Sequence, residues 1–487
     1  MKIKFFYKLA SIFVAVSLLC SCSTVAQKDT YYFSKAITDE VQYYSEYGES
    51  DILSQGDYKE SILVNRLEIS GLENVMLKPT IAYDTVLGLE SLYDQAQREI
   101  STGSRVIAGI NCDMFAMESS GMTVAGMPLN TTIIDGVIYN SSASITNSYR
   151  MPVFAIRADK TPYIGNIFVS GKIQVTGRSS IMEYETTQFN RNYSLWGIGT
   201  FTRRINSDGV VRLCSKQENG NIGTDAKNVT FYLISGIEDA DNIRAGKVYS
   251  GTVEKIVTNT LELEIPEGCI AFCDIFKTMS AVRVGDKIEV EYSLNSINDN
   301  YELADNLNDI EQCVGAYNWI IKDGVTQSTD IYTEQRYPEI NYIIVEPTAR
   351  TAIGIKNDGT IVAAVADQSL NEYGYSSGMT MDEWAEYFTA LGCVNAINFD
   401  GGGSAEMMLI SKDDKLATVN YPTDEESRRI ATGLFLISSN NKYIGYDESS
   451  LLIPLLISAA CVVLAGAVVL SAVVIYKKRA KSNKAEQ

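Results

Sequence analysis

Residues 398–404, Asn-Phe-Asp-Gly-Gly-Gly-Ser, combine a carboxylate with a glycine loop. Asp400 ends the apolar run 394–399, and the backbone amides of Gly401, Gly402 and Gly403 can approach an anion closely because glycine has no side chain. Asn398 and Ser404 flank the loop. The pattern therefore predicts a phosphate or sugar cradle, although from the glycines alone a tight strand-to-strand turn is the simpler interpretation.

The chain contains no histidine. This excludes the usual general base of serine and cysteine hydrolases, the HExxH zinc site and most catalytic zinc sites. Any reaction must use carboxylates, Arg, Lys, Tyr or backbone amides. No metal ligands are assigned, but with 60 acidic residues a calcium ion bound by oxygen ligands remains open as a cofactor.

Further polar residues follow predicted strands. Asn111 and Asp113 come after the apolar run 106–110, and Asp367 ends the run 361–366. Strand ends gather around sites in many folds, so these residues are candidates to line the same site as Asp400. The alternative is that Asp113 caps a turn and Asp367 forms one.

Helical and strand patterns suggest how these residues are positioned. Helical spacing predicts a helix over 84–101, followed by a short buried strand. Thr380 and Glu383 fit a capping box that begins a second helix, which Gly392 ends. A buried strand then delivers Asp400, and residues 406–410 predict the returning strand.

Residues 130–360 are mostly alternating strand patterns separated by turn pairs such as Asp135-Gly136. The sequence therefore predicts an α+β fold: a large mixed, mostly antiparallel sheet with packed helices, a β-rich subdomain at about 245–300, and a C-terminal transmembrane helix.

The two ends predict export and anchoring. Residues 1–22 have a basic start and an apolar stretch, which is typical of a signal peptide with either a lipoprotein cleavage box at Cys22 or cleavage after Ala26. Residues 451–475 carry no charge and, at about 1.5 Å per residue, are long enough to cross a hydrocarbon core of about 30 Å. The basic segment that follows predicts a cytoplasmic C-terminus, an extracellular domain and the membrane as a partner.

The remaining predicted segments are a polar entry segment at 23–61, a catalytic domain at 62–440, a linker at 441–450 and a cytoplasmic tail at 476–487. The formal net charge of −19 makes nucleic acid an unsuitable partner.

Several ordered motifs resemble the phosphodiester glycosidase family. The segment 398–407, NFDGGGSAEM, is similar to the family's Asn-Leu-Asp-Gly-Gly-Gly-Ser signature with Phe399 in place of Leu. INCDMF at 110–115 carries Cys112 where Gly is common, and ARTAIGI at 349–355 carries Ala349 where Pro is usual. The further similar segments follow in the family's order, at 313–324, 365–367, 377–385 and 422–431.

The resemblance implies an enzyme that hydrolyses sugar-1-phosphodiester bonds, such as those of GlcNAc-1-phosphodiesters. Asp400 would then serve the oxocarbenium-like centre, and Asp113 or Asp367 would complete an acid/base pair. Arg350 and the four amides of Gly401 to Ser404 would neutralise the phosphate. Asn111, Asn398 and Arg428 are further expected substrate contacts, although each of the two arginines could instead form an ordinary ion pair.

The combined prediction is a membrane-anchored extracellular bacterial glycosidase. Its expected partner is a carbohydrate phosphodiester in a wall polymer, a capsule or a lipid-linked sugar. The alternative is a non-catalytic glycan-binding or exopolysaccharide-assembly protein of the cell envelope that keeps the fold but not the reaction.

Overall fold

The computed structural model describes residues 31–49, 61–116, 126–142, 151–192, 195, 197–214, 224–297, 302–327, 346–372, 374–411, 413–424 and 426–439. In these residues there are two α-helices, α1 (Leu92–Ser101) and α2 (Met381–Ala390). Apart from 3₁₀ turns of three residues each, the other regular elements of the described residues are β-strands.

The first strands in chain order are β1 Tyr31–Ala36, β2 Val41–Glu49, β3 Ser61–Ile69, β4 Val75–Ile81, β5 Glu90–Ser91, β6 Val106–Asn111, β7 Thr132–Ile134, β8 Val137–Asn140, β9 Val153–Arg157, β10 Pro162–Gly165, β11 Phe168–Thr176, β12 Ile181–Phe189, β13 Ile198–Phe201, β14 Val210–Arg212, β15 Thr230–Ser235 and β16 Val248–Thr258. They are followed by β17 Glu262–Glu264, β18 Cys269–Asp274, β19 Lys287–Ile297, β20 Leu303–Asn306, β21 Ile310–Gly315, β22 Asn318–Lys322, β23 Val325–Thr326, β24 Arg350–Lys356, β25 Ile361–Ala366, β26 Gln368–Asn371, β27 Gly374–Ser377, β28 Cys393–Asn398, β29 Met407–Ile410, β30 Leu416–Thr418, β31 Arg429–Ile430 and β32 Thr432–Ser438.

Two sheets share the main core. The first has the order β1-β2-β3-β25-β24-β28-β22-β23, and the second has the order β30-β29-β6-β32-β4. Leu67 and Ile353 from the first sheet and Leu409 and Phe435 from the second belong to one buried apolar cluster. Strands β6 and β25 are nearly continuous apolar runs, because neighbouring elements bury both of their faces.

Helix α2 covers the other face of the first sheet, where Trp384 and Phe388 pack with Val362 and Ala396. Thr380 and Glu383 form the predicted capping box, and Gly392 follows the helix with a φ of 84°. This helix prediction is confirmed, since capping and apolar periodicity agree with the tertiary packing.

A closed barrel forms the second part of the fold. Its seven strands follow the order β11-β12-β13-β18-β15-β16-β19, and pairing of β19 with β11 closes the ring. The pairs are antiparallel except β12 with β13. Phe189, Phe272 and Tyr292 lie in its core. A separate five-stranded sheet of order β10-β9-β21-β7-β8 contributes to the same buried cluster through Val153 and Ile133.

The predicted α+β class is wrong, because the described chain is mostly β and contains a barrel. The alternating patterns of 130–360 indicate strands but not closure, which depends on β11 meeting β19 more than a hundred residues later. The predicted helix at 84–101 is also too long. Tyr83 and Asp84 have a φ of 55° each, which is incompatible with a right-handed α-helix at the predicted start. Helix α1 begins only after the cap residue Ser91.

No helix in the described part of the chain is long and apolar enough to cross a membrane. The structure therefore does not support the predicted single-pass membrane location. It does not support the membrane as a partner either. The segments on which the prediction depended, 1–22 and 441–487, lie outside the described residues. Part of the predicted entry segment 23–61 consists of β1 and β2, which are strands of the first sheet.

Candidate active site

Asp400 lies where the ends of the two core sheets meet. Strand β28 leads to the buried Phe399, whose amide donates to Thr351 O at 2.8 Å. The amide of Asp400 then donates to Cys112 O at 2.7 Å, just beyond the end of β6, and Asn111 Nδ2 donates to Asp400 O at 2.7 Å. The backbone of Asp400 is therefore held from both sheets.

The side chain of Asn111 links the ends of the two core sheets and does not face solvent. It is fully buried, and its Oδ1 accepts from Thr351 Oγ1 at 2.7 Å and from the Glu406 amide at 3.1 Å. One side chain thus joins β6, β24, Asp400 and the start of the returning strand β29. Such a saturated network makes the position of Asp400 rigid.

The glycine loop packs closely against the start of β24. A Cβ on Gly401 would lie 2.5 Å from Ala349 O, and Gly402, with a φ of 58°, donates its amide to the same carbonyl at 2.8 Å. The amides of Gly401 and Ser404 are also used internally, by Asp400 Oδ1 at 3.0 Å and by Gly401 O at 3.1 Å. Three of the four predicted cradle amides therefore already have acceptors inside the loop or on β24.

Arg428 reaches this loop from the segment before β31. Its Nη2 lies 2.7 Å from Asp424 Oδ2, and both side chains are about half-buried. The pair lies so close to Gly403 that a Cβ there would collide with Arg428 Nη2 and with both oxygens of Asp424. The predicted alternative for Arg428, an ion pair, is thus present, and the pair is also next to Asp400.

Asp113 is the second carboxyl group of the site and is only 1% exposed. Its Oδ2 accepts from the Asn130 amide at 2.8 Å, and its own amide donates to Thr432 Oγ1 at 3.0 Å. Among the described residues, Oδ1 has no hydrogen-bond partner. Gly315 permits this packing, since a Cβ there would collide with Asp113 Oδ2.

Burial raises the pKa of both carboxyl groups, but to different extents. The pKa of Asp113 rises to about 8, chiefly through burial, with the charge of Asp400 raising it further and Arg191 opposing. The pKa of Asp400 rises to about 6, again through burial, while Ser404, Arg428 and the Gly401 amide favour its ionised form. Between these values one carboxyl group is ionised and the other is protonated.

Arg350 occupies a structural position in the first sheet. The guanidinium is 1% exposed and donates through Nε to Met379 O at 2.8 Å and through Nη2 to Glu346 O at 3.0 Å. Burial lowers the pKa of Arg350 to about 10, with Glu383 opposing. The expected phosphate contact would have to compete with Met379 O, in the segment preceding α2, and with Glu346 O, in the segment preceding β24.

Asp367 is likewise committed to protein groups. It is fully buried, and its two oxygens accept from Asn420 Nδ2 at 2.8 Å and from the Tyr421 amide at 2.9 Å. Burial raises the pKa of Asp367 to about 7, while both hydrogen bonds favour the ionised form. The carboxyl group holds the loop after β30 in place and is not adjacent to Asp400 in any described contact.

Asn398 precedes the motif and is 2% exposed. Its Nδ2 donates to Phe399 O at 2.8 Å, and its Oδ1 has no hydrogen-bond partner within the described ranges. Of the predicted residues, the structure thus brings together Asp400, Asp113, Asn111, Arg428 and the glycine loop. It sets Arg350 and Asp367 in supporting positions.

Sequence reasoning missed several residues of the site. Glu406 is buried and accepts from Thr418 Oγ1 at 2.7 Å and from Ser427 Oγ at 2.6 Å, so it anchors the segment that carries Arg428. Its place inside NFDGGGSAEM was an available signal. Gly315 lies inside the similar segment 313–324, whereas Asn130 and Arg191 carry no local signal, because they reach Asp113 only through the tertiary fold.

The described residues contain no group of three or more Cys, Asp or Glu side chains that could hold a metal ion. The calcium ion left open by the composition therefore has no candidate ligand set within those ranges.

Comparison with solved structures supports the fold. A hypothetical protein from Synechocystis matches with a TM-score of 0.61 at 15% identity, over 84% of this chain and 64% of that one. A putative exported protein from Burkholderia pseudomallei matches with a TM-score of 0.60 at 15% identity, over 84% of this chain and 96% of that one. Identities this low show a shared fold and not a shared reaction.

Curated relatives match over a shorter part. The SPbeta prophage-derived uncharacterized protein YomE of Bacillus subtilis is 30% identical over 147 residues, which are 27% of this chain and 21% of the relative. Human N-acetylglucosamine-1-phosphodiester alpha-N-acetylglucosaminidase is 32% identical over 128 residues, which are 25% of this chain and 23% of the relative. The matched parts thus span less than a quarter of either relative.

A family profile described as phosphodiester glycosidase matches residues 274–437. This range contains Asp400, the glycine loop, Arg428 and Gly315, but not Asp113 or most of the barrel. Over these residues the chain is similar to the phosphodiester glycosidase family.

Proposed function

We propose that this protein hydrolyses the bond between C1 of a sugar and a phosphodiester, with Asp400 and Asp113 as its two catalytic carboxyl groups. The observation that carries the proposal is the placement of Asp400 beside the glycine loop, where Cys112 O and Asn111 Nδ2 hold its backbone and the buried carboxyl group of Asp113 lies within range of its charge. The pKa values of the two groups differ, about 6 and about 8. Pairs of this kind separate the acid and base roles of one reaction. The match to the phosphodiester glycosidase profile and the name of the human relative support the substrate class.

Asp400 takes the role of the ionised group. At pH 7 a carboxyl group of pKa about 6 is mostly charged, and the bonds to Cys112 and Asn111 hold it at the end of β28. A carboxylate at this point can stabilise the oxocarbenium-like centre, attack it or activate a water molecule. Rigid placement favours all three, because the charge is already positioned when the transition state forms.

Asp113 takes the role of the protonated group. With a pKa of about 8 it keeps its proton at pH 7, and Oδ1 has no partner among the described residues. A protonated carboxyl group can donate a hydrogen bond to the departing phosphate oxygen. Because a phosphate is a weakly basic leaving group, this bond mainly offsets developing negative charge.

The substrate proposed is a GlcNAc-1-phosphodiester or a chemically similar conjugate, by analogy with the human relative's name. Its wider occurrence in wall polymers, capsules or lipid-linked sugars stays a prediction.

The test is the release of reducing sugar from a GlcNAc-1-phosphodiester by the full chain and by the Asp400→Asn variant. Asp358→Asn is a matched control, because Asp358 lies in the exposed turn between β24 and β25, away from the glycine loop, and accepts from the Thr360 amide at 3.0 Å. We expect release by the wild type and by the control, and loss with Asp400→Asn. Binding of the substrate without turnover, unchanged by Asp400→Asn, would instead favour the glycan-binding alternative.

A further inference from the structure

The connection between β21 and β22 leads from one carboxyl group of the site to the strand that carries the other. It begins at Gly315, where a Cβ would collide with Asp113 Oδ2, and it ends at Asn318. Asn318 lies directly opposite Asn398 in the antiparallel pairing of β22 with β28, two residues before Asp400. Residues in opposite positions of such a pair project from the same face of the sheet. The side chains of Asn318 and Asn398 therefore lie side by side next to the active site.

Each of these two amide groups uses its N–H and leaves its oxygen without a donor. Asn318 Nδ2 donates to Trp319 O at 3.0 Å, and Asn398 Nδ2 donates to Phe399 O at 2.8 Å. Within the described ranges, neither Oδ1 atom has a hydrogen-bond partner, although the two residues are only 6% and 2% exposed. Turning either amide around would place two oxygens against each other, so the backbone carbonyls fix the orientation.

A third asparagine of β28 shows how such an oxygen is ordinarily satisfied. Asn395 Oδ1 accepts from the Asp323 amide at 2.9 Å. Because proteins satisfy nearly all buried polar atoms, the two unpaired oxygens near Asp400 indicate a place for a group that is not part of the chain. Acceptors repel an anion and require a donor. Sugar hydroxyl groups and the N–H of an acetamido group are neutral donors of this kind.

We propose that Asn318 and Asn398 form a sugar subsite, in which their Oδ1 atoms accept hydrogen bonds from hydroxyl or acetamido N–H groups of the substrate. The attachment of that sugar to a phosphodiester rests on the proposed function, whereas the binding of hydroxyl donors does not. Asn318 then sets specificity, because a sugar without the matching donor leaves a buried acceptor unpaired.

The experiment compares a GlcNAc-1-phosphodiester with analogues in which one hydroxyl group, or the acetamido group, is replaced by hydrogen. It measures kcat/KM for the full chain and for Asn318→Leu, which keeps a similar volume without polar side-chain atoms. Asn395→Leu is the matched control, since Asn395 lies on the same strand and its oxygen is used within the protein. Ligand-observed NMR titration measures the affinity of the three proteins for free GlcNAc.

For at least one analogue, we expect the wild type to lose about 10- to 100-fold in kcat/KM, the scale of an unpaired buried acceptor. Asn318→Leu should abolish this difference between the intact substrate and the analogue. Asn395→Leu should keep the difference. A merely structural role of Asn318 would lower kcat/KM for all the substrates by one factor and leave their ratios unchanged.

The outcomes separate the subsite from the reaction. GlcNAc binding that Asn318→Leu weakens and Asn395→Leu does not, without any turnover, supports the subsite and counts against the glycosidase. Turnover with the same substrate ratios in the wild type and in Asn318→Leu overturns the subsite and assigns the two acceptors to buried water. A wild type that neither binds GlcNAc nor hydrolyses the phosphodiester also overturns it. If Asn318→Leu does not fold, Asn318→Ala decides by the same ratios and the same titration.

Discussion

The Asp400 loop and the barrel edge, which here means the segment after β12 that carries Arg191, both adjoin Asp113. The two regions are built in different ways. The loop consists of consecutive residues, 400–404, that hydrogen bond to the ends of β6 and β24. The barrel edge places Arg191 against the hairpin of β7 and β8, some fifty residues earlier in the chain. Functional residues that are consecutive in the chain can be recognised as a sequence motif. Residues that are brought together only by the tertiary fold cannot.

The largest effect concerns the two carboxyl groups that the regions share. At pH 7, Asp400→Asn should lower kcat/KM by about 10³-fold and Asp113→Asn by about 10²-fold, since acid/base groups contribute on this scale. The double variant should lose less than the product of the two, because both groups act in one step. Steady-state kinetics of the three variants measure this, and strictly multiplicative losses would contradict a coupled pair.

Arg350 sharpens the comparison, because it is a buried arginine like Arg191. Arg350→Gln should lower the free energy of unfolding by about 1–3 kcal/mol, because the buried carbonyls of Met379 and Glu346 lose their donors. Phosphate affinity should not change. Urea unfolding and calorimetry test both statements. A loss of phosphate affinity at wild-type stability would instead show that Arg350 contacts the phosphate.

Asp113 should also make stability depend on pH. Its pKa of about 8 in the folded state lies above the ordinary value of 3.8, so the folded state holds the proton more tightly. The resulting stabilisation is complete below about pH 4 and is lost as the pH rises to about 8. Asp113→Asn should therefore gain stability relative to the wild type over this window, by a few kcal/mol at most. Thermal unfolding at pH 5 and about pH 8 measures the change, and an equal difference at both would contradict it.

The smallest effect concerns Gly403. A methyl group there would displace Arg428 and Asp424, which are half-exposed and can move. Gly403→Ala should thus cost less than about 1 kcal/mol of stability. It should raise the pKa of Asp400, because Arg428 favours the ionised carboxylate. An upward shift of the acid limb of the pH–rate profile measures this, with Arg428→Gln as the comparison. No shift in either variant would contradict a charge effect of Arg428 on Asp400.

Local signals predicted the parts of the fold that depend on neighbours in sequence. The capping box at Thr380 and Glu383, the strand β28 and the returning strand β29 are all present. The barrel was recognised only as a β-rich stretch at about 245–300, because it is closed by the pairing of Phe168 with Asn295 and of Thr176 with Lys287. A pattern of alternation does not say which strands will meet.

The site shows the same division. The motif indicated Asp400 and its glycines, and the resemblance drew in Asp113, Asn111 and Arg428, which the structure brings near it. Asp367 and Arg350 looked equivalent in sequence, yet their hydrogen bonds go to Asn420 and to backbone carbonyls. Only the tertiary fold shows which polar side chains are already satisfied.

The most direct test of the account is the pH dependence of kcat/KM for the wild type and for Asp113→Asn. The pair should give a bell-shaped profile with limbs near pH 6 and pH 8, as macroscopic values of two coupled groups. Asp113→Asn should keep the acid limb and lose the alkaline one. An alkaline limb that persists in the variant, or a wild-type profile without limbs in this range, would contradict the assignment of Asp400 and Asp113 as the catalytic pair.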